Sequence, residues 1–79
     1  MKIRVLFFGA TAALADKRVM DVEMGDGVAA NAVLDRVLAD HPALAMLRLH
    51  LSLNQEYARG DETLRHGDEL AIFTAVSGG

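Results

Sequence analysis

Only one stretch of this chain carries the 3.6-residue rhythm of an amphipathic helix; its other apolar segments alternate with a period of two. Between Gly25-Asp26-Gly27 and Pro42, a single stripe collects Ala30, Val33, Leu34, Val37 and Leu38, while Asn31, Asp35, Arg36 and Asp40 fall on the water side. The spacing predicts a helix over 28–40, with Asp26 placed to cap its first turn. Pro42 ends it, because the residue before a proline is pushed out of the helical region. A further short turn of helix fits 43–48. A lone helix cannot bury its own stripe, so in 79 residues the strands around it must supply the other half of the core.

Those strands are legible. Residues 2–8 alternate, with Ile3, Val5 and Phe7 on one face and Leu6 and Phe8 on the other. A connection follows over 9–17, with one helical turn at 12–15. Residues 18–24 alternate again, Met20, Val22 and Met24 opposing Val19, Asp21 and Glu23. After the helix, 51–53 and 56–58 form two short strands around Asn54-Gln55, where asparagine tolerates a left-handed backbone. Gly60, Asp61, Gly67 and Asp68 punctuate a loop around the apolar plug Leu64. The last strand spans 69–76, with Leu70 and Ile72 inward and Ala71 and Phe73 outward. The order β-β-α-β-β-β specifies an α+β fold of the ubiquitin-like β-grasp type: one domain over 1–79, a mixed sheet, and a helix across one face.

Composition narrows the function classes. The hydrophobic fraction of 52% suffices for a core, and the absence of cysteine removes disulfide scaffolds and Cys-ligated metals. Any sulfur chemistry must therefore use sulfur delivered from outside. No apolar run is long enough for a signal peptide or a membrane span, so a cytoplasmic protein with no membrane partner is expected. The net charge is −3 and the basic residues are dispersed, which argues against nucleic acid as a partner. His41, His50 and His66 have no metal-ligand spacing and read as exposed or loop histidines; no metal is expected. Asp61, Glu62, Asp68 and Glu69 flank turns, and no phosphate-binding loop is present. A self-contained active site is not expected.

What remains is the terminus Ser77-Gly78-Gly79. Two residues without Cβ atoms present a thin, conformationally free tail, suited to threading a narrow channel in a partner. The terminal carbonyl of Gly79 is then unhindered to a nucleophile. A carboxylate is a poor electrophile until activated, for instance as an acyl-adenylate formed with ATP on a partner enzyme. A sulfur donor can then displace AMP and leave a thiocarboxylate.

Taken in order, Val5-Leu6-Phe7-Phe8, Leu53-Asn54-Gln55-Glu56-Tyr57, and Leu64 with Gly67-Asp68-Glu69-Leu70 leading to Val76-Ser77-Gly78-Gly79 resemble the MoaD/ThiS family of β-grasp sulfur carriers over almost the whole chain. Within that family the nearest likeness is to the small subunits of molybdopterin synthase. The resemblance implies that an E1-like adenylyltransferase activates Gly79 with ATP and that a sulfur donor converts it to the thiocarboxylate. The large synthase subunit then accepts the tail, and the sulfur enters the dithiolene of molybdopterin. The carrier binds no cofactor itself. Residues implied in partner contact are Phe8, Tyr57 and Phe73 on the sheet, with Val76 and Ser77 leading into Gly78 and Gly79. Two departures stand out: Thr74-Ala75 replaces the usual Pro-Pro, and Ala12-Ala13 replaces a frequent Arg-Glu. The first leans towards the carriers of thiamine thiazole synthesis, whereas the long connection over 9–17 leans away from them. A ubiquitin-like modifier joined through Gly79, and a β-grasp module with an inert tail, are the other readings left open.

Overall fold

The computed structural model describes residues 1–75. Its strands are β1 (Lys2–Phe7), β2 (Val19–Glu23), β3 (Leu49–Leu53), β4 (Glu56–Ala58) and β5 (Glu69–Thr74). Two α-helices, α1 (Ala10–Ala15) and α2 (Ala30–Asp40), and a 3-10 turn over Pro42–Met46 complete the chain. The strands form one five-stranded sheet in the order β2-β1-β5-β3-β4. β1 and β5 pair in parallel at its middle, and the other pairs are antiparallel. A parallel pair needs a crossover, and here everything between β1 and β5, α2 included, supplies it.

The core forms where the two periodicities meet. Ile3, Val5 and Phe7 from β1, Val22 from β2, Leu51 from β3 and Leu70 and Ile72 from β5 are buried together with Ala30, Val33 and Val37 of α2. Leu34 and Leu38 pack at the margin of this cluster, and Leu64 and Leu44 close its ends. The mixed sheet, the helix across one face and the inward sets of β1 and β5 agree with the sequence reading. At Asn54-Gln55 both residues take positive φ, 50° and 72°. The Asn54 side chain fastens that turn to the start of β5, accepting from the Glu69 N–H at 3.0 Å and donating to Asp68 at 3.1 Å.

The start of α2 corrects an expectation. Asp26 does not cap it: the helix begins at Ala30, Ala29 is the N-cap residue, and no side chain bonds the cap. Its free N–H groups are taken from across the chain, Ala30 donating to the Glu62 carbonyl at 2.9 Å and Asn31 to the Gly60 carbonyl at 2.8 Å. The Asp26 carboxylate instead lies 3.7 Å from the amino terminus. Gly60 is required for this close approach: its φ is +111°, and a Cβ there would collide with the Asn31 side chain. Glu62 completes the loop by accepting the N–H groups of Arg59 and Gly60, each at 2.8 Å. The N–H groups of Arg59, of Glu62 itself and of Gly60 hold its carboxyl below the usual carboxylate range.

Two smaller differences bear on the site. The helical turn expected at 12–15 is a helix over Ala10–Ala15. Ala71, outward by parity, is only 7% exposed, because it lies mid-sheet between Leu6 and Ser52.

Candidate functional site

The face of the sheet away from α2 can be read directly from the strand register. One row runs Val19, Leu6, Ala71, Ser52, Tyr57 across all five strands. Nearer the end of β5, Phe73 stands opposite His50. At the other end of the same face, Lys2 opposes Glu23, and Arg4 lies between Asp21 and Glu69. The face is thus divided into a charged half and an apolar, aromatic half. β5 runs from the charged half into the aromatic one, so the chain continues towards Ser77-Gly78-Gly79 from the aromatic end.

Three rings meet there. Tyr57 and Phe73 have centroids 5.8 Å apart in an edge-on arrangement. His50 stacks on Phe73 at 6.0 Å with an interplanar angle of 28°, and meets Tyr57 edge-on at 6.5 Å. On the other side of Phe73, a shallow depression of about 390 Å³ is lined by Phe8, Gly9, Phe73 and Thr74. Phe8 is 53% exposed and Tyr57 78% exposed, unusually wet for large apolar rings that sit on one face. The structure therefore brings Phe8 and Phe73 together, and Phe73 and Tyr57 together. Phe8 and Tyr57 flank the group without meeting, since two strands lie between theirs. Val76, Ser77, Gly78 and Gly79 lie outside the described residues.

A wider groove of about 710 Å³ adjoins this patch, formed by Leu6, Phe8, Ala12, Ala13 and Val19 with Lys17 and Arg18 at its rim.

Thr11 fixes the corner that carries Phe8. Its side chain is fully buried, and its hydroxyl accepts the Phe8 N–H at 3.0 Å while lying 2.9 Å from the Phe8 carbonyl and 2.7 Å from the Ile72 carbonyl. One small side chain therefore ties the end of β1 to β5 beside the exit of the tail. Thr11→Val keeps the shape but removes the partner of the Phe8 N–H and the buried hydroxyl contact to the Ile72 carbonyl. It should lower stability by about 1–3 kcal/mol in denaturant unfolding, whereas Thr11→Ser should restore most of it.

His50 is the member of the site that the sequence reading missed. It is not a loop histidine but a strand residue half-buried among aromatics, and only the register with β5 reveals this. His41 is a loop residue as expected, between α2 and the 3-10 turn, and its ring meets Phe7 edge-on at 6.3 Å. Among the described residues no group of three or more His, Asp or Glu is placed to hold a metal ion, and no helix is long and apolar enough to cross a membrane.

Comparison with known proteins agrees with this geometry. A molybdopterin synthase sulfur carrier subunit from Chlamydomonas reinhardtii is 40% identical, with both chains covered in full. The crystal structure of small archaeal modifier protein 1 from Haloferax volcanii superimposes with a TM-score of 0.88 at 28% identity, again over the whole of both chains. Subunit 1 of a Helicobacter pylori molybdopterin-converting factor, solved in complex with subunit 2, shares the fold at a TM-score of 0.72 and 21% identity over both full chains. The ThiS family profile matches residues 5–79, nearly the whole chain, and the protein belongs to the ThiS family.

Proposed function

We propose that this chain is the sulfur carrier subunit of a molybdopterin synthase and that its working group is the carboxyl of Gly79. The reading is supported above all by the full-length identity to an algal subunit of that name. The geometry adds a second support: the apolar face and the start of the tail lie at the same end of β5, so one partner can cover the rings and receive the terminus together. In this reading an E1-like enzyme in the cytoplasm converts the Gly79 carboxylate to an acyl-adenylate with ATP, and a sulfur donor displaces AMP. The large synthase subunit then docks Phe8, Phe73 and Tyr57, threads Val76, Ser77 and Gly78, and takes the sulfur for the dithiolene. The carrier supplies position and the thiocarboxylate sulfur; once that sulfur has bonded to the acceptor carbon, water cleaves the acyl–sulfur bond and returns Gly79 as a carboxylate, and catalytic side chains belong to its partners.

Incubation with ATP, an E1-like adenylating enzyme and a sulfur donor should replace one oxygen of the Gly79 carboxylate by sulfur, seen by mass spectrometry of the C-terminal peptide. Sulfur elsewhere in the chain, or none, would overturn the reading. The likeness to an archaeal modifier protein favours a second reading, attachment of Gly79 to lysines of other proteins. Isopeptide-linked species of higher mass in cells would single it out.

A further inference from the structure

The centre of the aromatic half-face is a titratable ring. His50 lies between Phe73 and Tyr57, and its Nε2 is buried with no hydrogen-bond partner among the described residues. An imidazole protonated at Nδ1 alone leaves Nε2 as a bare acceptor. The imidazolium instead places a charged N–H at Nε2 with nothing to receive it, and burying an unpaired charge is far costlier than burying an unpaired acceptor.

Among the described residues no carboxylate is paired with the ring. From β4 the ring faces the neutral phenol of Tyr57. From β5 it faces Phe73, and the nearest outward carboxylate on that strand is Glu69, four positions away and roughly 13 Å along the strand. On its own side, Arg48 is two residues back with the same outward parity, a like charge. Arg4 and Asp21 lie in the charged half of the face, beyond β5. A docked protein removes the remaining water from Phe73 and Tyr57 and so makes the charged form of His50 costlier still.

We propose that His50 is a specificity-determining residue of the docking face, entering the interface with the large synthase subunit as a neutral imidazole. This rests on the reading of the chain as that enzyme's carrier. The matching surface is apolar opposite His50; a carboxylate there would draw a proton onto the ring and reverse the pH dependence.

The test is the dissociation constant of the carrier with the large subunit between about pH 5.5 and 8, the range in which histidine titrates. It is measured for the wild type and for His50→Leu, each checked by a melting curve. On acidification across this range the wild type should weaken by up to tenfold per pH unit, while His50→Leu stays nearly flat and binds at least as tightly at neutral pH. Proton NMR of the His50 ring in the complex provides a readout that needs no variant, with the bound ring expected to carry a single ring proton. A profile shared by both proteins, tighter wild-type binding on acidification, or a bound ring that carries two ring protons would overturn the role of His50 alone. No association at any pH would overturn the carrier reading with it.

Discussion

Deleting Gly79, or adding one residue after it, is expected to abolish sulfur transfer while leaving the melting temperature almost unchanged. Stability and function rest on different parts of the chain. The core that joins β1 and β5 to α2 is built from residues between Ile3 and Ile72, whereas chain ends without side chains bury little. Transfer requires the terminal carbonyl itself to reach a partner's active site, where a misplacement of about 1 Å can cost ~100-fold in rate. An extended residue spans roughly 3.3–3.6 Å, so a single addition or deletion exceeds that tolerance severalfold. Product formation with wild-type partners, recorded beside a melting curve, checks both halves. Near-normal turnover by either variant would show that Gly79 is not the reactive group.

Phe7 and Phe8 offer a contrast of nearly equal size in stability. They are neighbours of the same type, yet Phe7 is 2% exposed in the core and Phe8 is 53% exposed on the outer side. Phe7→Ala should cost about 3–5 kcal/mol, from lost transfer energy and the cavity left behind. A domain of this length has a total stability of roughly 4–12 kcal/mol, so that loss removes a large share of it and should lower the melting temperature by about 12–40 °C. Phe8→Ala should move stability by no more than about 0.5 kcal/mol, yet weaken the complex with the large synthase subunit about tenfold. Calorimetry on the two variants and a binding titration on the second separate the outcomes. Equal losses of stability would mean that the outer side of β1 is part of the core and not a docking surface.

The two periodicities carried most of the architecture. Ile3, Val5 and Phe7 against Leu6 and Phe8, and the stripe from Ala30 to Leu38, are local patterns that survive folding because burial acts on each face separately. Strand order is not local: nothing in residues 69–74 says that they insert between β1 and β3. Consequences of that insertion were illegible for the same reason. Asp26 looked like a cap because capping residues usually precede their helix, but here carbonyls about thirty residues further on occupy the donors of α2. His50 looked like a solvated histidine until the register set it opposite Phe73. The rings of the site were legible singly, through the parity of Phe8 and Phe73; their grouping was not.

The middle position of β5 also governs when this protein comes into being. Synthesis delivers β1 first and β5 last, yet the two are neighbours, and β5 separates β1 from β3. A growing chain that lacks residues 69–74 has a β1-β2 hairpin and a β3-β4 hairpin but no sheet joining them, and α2 has only half a surface to lie on. Such non-local closure is slow compared with helix or hairpin formation. Folding therefore waits for β5, and a chain that stops short of it lacks Phe73 and the residue, Ala71, that joins Leu6 to Ser52 across the outer face.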